Sequence, residues 1–283
     1  MSTQLLGRLH LDEARLRDDL SCSSEFPYSE HYSEFVCGRA WKSCMLWAPG
    51  GQVGDNVIAH YDMCHPSSST CYGRQLQYVC QIIEDSFATE RLVFARLAVM
   101  SDTVGIPHRD YLELENASAK RPTLRLHVPL MTGDQCYFSE DNTVYRMQAG
   151  EVWVLDVTRI HSSAVIAEVQ RVHLLLDFGQ SMDASQVVKF PIHSRPGIPE
   201  ASICTREPLS IGEREDLLAL VPLIDTDNLR DALGIVIKKH YRKDGGENFV
   251  WNTLHEIAKR SQHEAVSGRI RALYRYYTME RSD

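Results

Sequence analysis

Two stretches, Thr123-Leu-Arg-Leu-His-Val-Pro-Leu130 and Arg171-Val-His-Leu-Leu-Leu-Asp-Phe178, decide how this chain is read. In the first, Leu124, Leu126, Val128 and Leu130 take one side of an extended backbone, and Arg125 and His127 take the other. In the second, Val172, Leu174, Leu176 and Phe178 alternate with Arg171, His173 and Asp177. A period of two identifies strands, and here both faces carry a message. One face is a core; the other turns cations and imidazoles towards an interior. An arginine directed inward is unfavourable unless an anion meets it, and a carboxylate is its natural bidentate partner. Asp177 or Glu113 could serve Arg171 or Arg125 in that role; otherwise, two such arginines suit a dicarboxylate ligand.

Further short segments rich in β-branched residues surround these two. Residues 90–99, 143–147, 151–155 and 162–167 are bounded mostly by Gly, Asp or Asn turns, so the middle of the chain predicts an antiparallel sandwich or barrel. Residues 74–87 predict a helix outside that sheet, and residues 39–47 a strand among the serine-rich loops of 21–73. Residues 191–199, with three prolines and a glycine, predict a linker. Beyond it, roughly 209–280, the pattern shifts to four helices. Ser210 with Glu213 and Ser261 with Glu264 fit capping boxes, Pro222 ends the first helix, and 228–241 and 247–260 carry apolar residues at helical spacing.

Composition narrows the classes. With 43% hydrophobic and 24% charged residues in 283, the chain reads as an ordinary globular protein, and no apolar run approaches the ~18 residues of a membrane span. The opening segment lacks a signal-peptide core, so a cytoplasmic protein is expected. Eight cysteines without a C-x-x-C are expected to be reduced thiols, and Cys64, His65 and Cys71 read as a loop, since half of a zinc ligand set is missing. The net charge of -8 belongs to residues 1–200, because 201–283 hold 13 basic and 13 acidic residues. Neither part offers the basic face that a nucleic acid needs.

Three H-x-D triplets occur. His10-Leu-Asp12 stands where a helix begins, with Asp12 as its N-cap, and His60-Tyr-Asp62 reads as structural. His108-Arg-Asp110 differs through its context. Its two side chains share a face of an extended segment, and His161, just before a strand, supplies a third ligand from a distance. Two histidines and a carboxylate on one side of an ion leave positions open opposite, the arrangement of non-haem Fe(II) oxygenases.

The residues then resemble a known family. Ile106-Pro-His-Arg-Asp-Tyr-Leu-Glu-Leu114, Arg125-Leu-His127, Ala149-Gly-Glu-Val-Trp-Val-Leu-Asp156, His161-Ser-Ser-Ala164 and Arg171-Val-His-Leu-Leu-Leu-Asp-Phe178 are similar to the 2-oxoglutarate-dependent cis-hydroxylases of free L-proline, small relatives of the aspartyl/asparaginyl β-hydroxylases. The likeness extends to Leu6-Gly-Arg-Leu-His-Leu-Asp-Glu-Ala-Arg-Leu16, Tyr32-Ser-Glu-Phe35, Arg206-Glu-Pro-Leu209 and Asn228-Leu-Arg-Asp231. Asp110-Tyr-Leu-Glu-Leu114 and Arg171-Val-His-Leu174 bring it nearer the cis-4 than the cis-3 type.

The resemblance implies a mainly β fold with α: a double-stranded β-helix (jelly-roll) core over 1–200 and a C-terminal helical domain over 201–283. It implies Fe(II) on His108, Asp110 and His161, with 2-oxoglutarate and O2 as co-substrates. Arg171 would grip the distal carboxylate of 2-oxoglutarate, and Arg125 with His127 would face its other end. Arg96 would meet the amino-acid carboxylate, although its linker to His108 differs by one residue from the cis-4 pattern. Tyr32, Phe35 and Trp41 would close the pocket or serve as plain core aromatics. The implied reaction is hydroxylation of a ring carbon of a free cyclic L-amino acid, L-proline first and L-pipecolate next, since one methylene is worth only ~1–3 kcal/mol to an apolar pocket. A peptidyl side-chain hydroxylase is the further alternative, and a jelly-roll metal-binding sensor without turnover is the reading from a different class. With Asp110 in the third protein position, hydroxylation is expected over halogenation. The helical tail leaves homodimerisation open.

Overall fold

In the computed structural model, which describes residues 2–110, 122–179, 183–192 and 197–278, the two alternating stretches pair with each other at the centre of a large antiparallel sheet. The strands in chain order are β1 (Gln4–Arg8), β2 (Val36–Gly38), β3 (Lys42–Pro49), β4 (Ser67–Ser69), β5 (Leu92–Met100), β6 (Thr103–Gly105), β7 (Pro122–Met131), β8 (Cys136–Glu140), β9 (Thr143–Tyr145), β10 (Glu151–Val154), β11 (His161–Val165) and β12 (Arg171–Gly179). The helices are α1 (Glu13–Ser23), α2 (Gln77–Ser86), α3 (Ile211–Ala219), α4 (Leu229–Arg242), α5 (Phe249–Arg260) and α6 (Glu264–Thr278).

Seven strands form the larger sheet in the order β1-β10-β7-β12-β5-β3-β4, and five form the smaller in the order β2-β6-β11-β8-β9. This is the two-sheet jelly roll with helices that the sequence resemblance implies. The leucine face of β7 and β12 packs outward. Leu124, Leu126, Leu174, Leu176 and Phe178 share one core with Leu16 of α1 and with Val79, Ile82 and Ile83 of α2. The outer side of the small sheet is covered in turn by the tail: Cys37, Val104, Val144 and Ala164 join a second core with Leu233 and Ile237 of α4 and Trp251 and Leu254 of α5. Helices therefore cover both outer surfaces, which explains why every residue of β5 and of β12 is buried. The polar sides of β7 and β12 are left to line the space between the sheets.

Local signals mostly act as the sequence suggests. Asp12 caps α1 by accepting from the Ala14 and Arg15 amides, and Ser210 and Glu213 form a complete capping box on α3. Gly150, in the turn before β10, has φ +80°, and a Cβ there would lie 2.5 Å from the Leu9 carbonyl oxygen, so glycine is required.

Four expectations need correction. The strand expected over 39–47 runs Lys42–Pro49 instead, because Gly38 at φ +111° ends β2 and turns the chain first. The expected strands do not include β1, β2, β4, β6 or β8; each has five residues or fewer, and the three serines of β4 offer no alternation to read. The strand expected over 143–147 stops at Tyr145. Finally, Ser261 does not form a box with Glu264: it is the C-cap of α5, and its hydroxyl accepts from the His263 amide. Too few residues separate the two helices for that serine to serve the second one. Among the described residues, no helix is long and apolar enough to cross a membrane.

The fold makes one prediction through His240 of α4. It is 4% exposed, stacked on Phe249, and its ring is pushed down to about 4, first by burial and then by Arg206, against a smaller opposing pull from Asp244. His127 and His173 are shifted well downward by burial too. The unfolded chain therefore binds more protons between pH 6.5 and about 4, and stability is present above that window and lost as pH falls through it. The thermal midpoint is expected to drop between about pH 7 and about pH 5, with a shallower slope in His240→Gln. An identical slope in the variant would refute the assignment.

Candidate active site

The strand register builds the candidate metal group. His108 and His161 are an antiparallel bridge pair, each amide donating to the other's carbonyl at 3.0 and 2.9 Å, so both side chains leave from one face with ring centroids 4.5 Å apart. Asp110, two residues on, is anchored through its amide to the Val157 carbonyl at 2.8 Å. One ligand atom each from His108, Asp110 and His161 lies within 4.8 Å of the others, a group that could hold a metal ion. Their outer partners fit that use. His108 Nδ1 is 2.7 Å from the Ile106 carbonyl oxygen and His161 Nδ1 is 3.0 Å from that of Arg159. Each ring then carries its proton on Nδ1 and has Nε2 available as a ligand. His108 Nε2 stands 3.6 Å from Asp110 Oδ1.

The other oxygen of Asp110 is engaged. Arg125 Nη1 donates to Asp110 Oδ2 at 2.8 Å, while its Nε donates to Asp177 Oδ1 at 2.6 Å. Burial opposes the charge on Arg125, but Asp177 and Asp110 outweigh it and raise its pKa. Of the two acids weighed for the arginines, Asp177 therefore pairs with Arg125; Glu113 lies outside the described residues, as do Tyr111, Leu112 and Leu114.

Arg171 has no such partner. It is 4% exposed, and among the described residues no carboxylate lies within ion-pair distance. It donates instead to His173 Nε2 at 3.0 Å and to Met100 Sδ at 2.8 Å, and sits over the Phe138 ring at 4.5 Å. Burial pulls it down to about 10. Arg96 is 2% exposed, with Nη2 3.5 Å from Asp177 Oδ2, but its Nε and Nη1 have no partner among the described residues. Its guanidinium lies 5.4 Å from the Tyr32 ring, which packs on Trp41 at 5.2 Å. His127, kept neutral by burial and by Arg125, has a buried Nδ1 without a partner among the described residues.

Ten residues singled out in the sequence, Tyr32, Phe35, Trp41, Arg96, His108, Asp110, Arg125, His127, His161 and Arg171, line one cavity of about 340 Å3. Sequence reasoning missed three contributions. Ile58, Tyr61 and Met63 complete an apolar wall from a loop with no readable pattern. Arg125 grips Asp110, where only its approach to a ligand was considered. The tail supports the ligand segment as well: Trp251 Nε1 donates to the Pro107 carbonyl at 3.2 Å, the Arg109 amide donates to the Tyr277 carbonyl at 2.9 Å, and Tyr241 hydrogen-bonds Ser162 next to His161. Phe35 fills the space between, 5.0 Å from His108 and 5.4 Å from Tyr277. The i, i+2 polar alternation revealed Arg125 and Asp177; contacts between distant segments leave no such mark.

The Aspartyl/Asparaginyl beta-hydroxylase family model matches residues 12–181. The chain belongs to that family. A second model, L-proline 3-hydroxylase, C-terminal, matches residues 184–283, so this family member carries its helical tail as a recognisable part. L-proline cis-4-hydroxylase of Rhizobium meliloti (strain 1021) is 30% identical, over 98% of this chain and 96% of that one. L-proline cis-3-hydroxylase 1 of Streptomyces sp is 32% identical, over 89% and 87%. Among solved structures, a 2OG-Fe(II) oxygenase family oxidoreductase from Burkholderia pseudomallei aligns with a TM-score of 0.41 at 12% identity, over 65% of this chain and 88% of that one.

Titration of the metal-free protein with Mn(II) or Co(II) is expected to show one ion per chain, lost in His108→Ala and His161→Ala. Trp251→Phe removes the Nε1 bond to Pro107 together with part of the buried ring packed on Tyr274 and Tyr277, and metal affinity is expected to fall by roughly tenfold, the lower end for an outer-shell partner. Full affinity in a folded Trp251→Phe would mean that the tail is only a cover.

Proposed function

We propose that this protein is an Fe(II)- and 2-oxoglutarate-dependent dioxygenase that hydroxylates a ring carbon of free L-proline. The observation that carries the reading is the pair of buried arginines with unmet demand on one cavity wall. Arg171 is opposite Met100 across the β12/β5 pair and Arg96 is opposite Leu175. They are thus four residues apart along the strands, roughly 13 Å at ~3.3 Å per residue. Two anion positions at that separation suit two carboxylate-bearing molecules, and His108, Asp110 and His161 line the same cavity. The full-length relatives named for L-proline hydroxylation support the substrate.

In this reading His108 Nε2, Asp110 Oδ1 and His161 Nε2 hold Fe(II). The bound iron with 2-oxoglutarate and O2 would supply the oxidising chemistry, giving succinate, carbon dioxide and conversion of C–H to C–OH. The chain's own contribution is placement. Arg171 takes the distal carboxylate of 2-oxoglutarate in a dry site, where a guanidinium without a counter-ion gains most from an anion. Neutral His127 offers its free ring nitrogen to the other end. Arg96 presents Nε and Nη1 to the amino-acid carboxylate, and Tyr32, Trp41 and Met63 exclude water around the ring. A free amino acid has a carboxylate for Arg96 to bind, whereas an internal peptide residue has none.

The test is succinate release with Fe(II), ascorbate and 2-oxoglutarate across L-proline, L-pipecolate and linear amino acids, with product masses and ring positions recorded. Stimulation by L-proline with one added oxygen is expected. No stimulation by any free amino acid, in a protein that still binds metal, would overturn the reading and favour a peptide substrate or a sensor. Arg171→Met is expected to abolish stabilisation by 2-oxoglutarate while raising the thermal midpoint of the protein without ligands, because it removes a buried charge that has no acidic partner.

A further inference from the structure

Asp177 is fully buried on β12, opposite Arg125 of β7 on one side and Phe94 of β5 on the other, with Arg96 further along β5. Its two oxygens are divided between two arginines: Oδ1 accepts from Arg125 Nε at 2.6 Å, and Oδ2 faces Arg96 Nη2 at 3.5 Å. Each arginine thereby has one edge committed and another free to work. Arg125 extends Nη1 to Asp110 Oδ2 at 2.8 Å, and among the described residues Nε and Nη1 of Arg96 have no partner at the cavity wall. A guanidinium is planar and rigid, so holding one N–H fixes the direction of the others.

We infer that Asp177 is a positioning residue that joins the metal group to the amino-acid site, holding Arg125 on a single oxygen of Asp110 and setting the free edge of Arg96 towards the cavity. The inference rests on the function proposed above for the amino-acid half alone. Released from Asp177, Arg125 meets Asp110 with its whole fork, and the preferred bidentate pairing takes both carboxylate oxygens. Oδ1, the atom facing His108 Nε2, is then no longer available as a ligand. The same chain couples the two sites. A carboxylate arriving at Arg96 competes with Asp177 for that charge; Asp177 then turns more fully to Arg125, and Arg125 pulls less on Asp110. The amino acid thus tightens metal binding, and by reciprocity the metal tightens amino-acid binding.

The experiment is titration of metal-free wild type and Asp177→Asn with Mn(II), free Mn(II) being followed by electron paramagnetic resonance, with and without L-proline. Asp177→Asn is expected to weaken Mn(II) binding by roughly tenfold to a hundredfold in the absence of amino acid. L-Proline should tighten Mn(II) in the wild type and not in the variant, and the KM for L-proline should rise more than kcat falls. A folded Asp177→Asn with lower thermal stability but wild-type Mn(II) affinity and KM would overturn the inference, leaving Asp177 as a neutraliser of two buried cations. Should Asp177→Asn fail to fold, Arg125→Lys tests the same link, because one ammonium cannot bridge Asp177 and Asp110 as the guanidinium does: L-proline should no longer tighten Mn(II), and an unchanged effect of L-proline overturns the inference. Failure of the proposed function has a different signature, a wild type that binds Mn(II) yet releases no succinate with any free amino acid. In that case the Mn(II) affinities measured without amino acid still decide the role of Asp177.

Discussion

Three guanidinium groups are buried on one face of three neighbouring strands, and everything around them answers that charge. Among the described residues, Arg96 of β5, Arg125 of β7 and Arg171 of β12 meet only two nearby carboxylates, Asp177 and Asp110. Isolated charges in such surroundings are highly unfavourable. The sheet must therefore be closed on its outer side by an unbroken leucine face, rigid enough to keep the charges in place, and open on its inner side to anions that complete the balance. The deficit lies at Arg171 and at the free edge of Arg96, and these are the places where ligands are proposed.

That constraint also explains what could be read beforehand. Period-two alternation in β7 and β12 reveals both faces at once, because apolar and charged residues are segregated without exception from Leu124 to Val128 and from Arg171 to Leu174. His108, Asp110 and His161 follow from ligand chemistry plus strand geometry, and the His108–His161 bridge supplies the physical reason they meet. Short edge strands were not legible, since three serines or three mixed residues carry no period. Nor could the sequence apportion Asp177 among the arginines. Alternation says which side a residue faces, while the choice between Arg96, Arg125 and Arg171 depends on cross-strand register.

The tail was legible as four helices but not as part of the site. Its helical periodicity describes its own core, and the contacts that matter run from single atoms: an indole nitrogen on Trp251, a backbone carbonyl on Tyr277, a phenol on Tyr241. Each reaches a residue adjacent to a candidate ligand. The small sheet lies between, sharing its outer apolar side with α4 and α5. A tail that merely hung from the jelly roll would leave that side wet.

The bond from Arg109 to Tyr277 has a temporal meaning too. On a ribosome, the H-x-D segment emerges long before Trp251 and Tyr277, and contacts so distant in sequence form late. Until they form, Pro107 and Arg109, the neighbours of His108 and Asp110, lack these partners. Iron that reacts with oxygen outside a finished pocket damages the protein holding it. The fold thus takes part of the support for the H-x-D segment from helices far downstream in sequence, so that the segment and the walls around it are completed together.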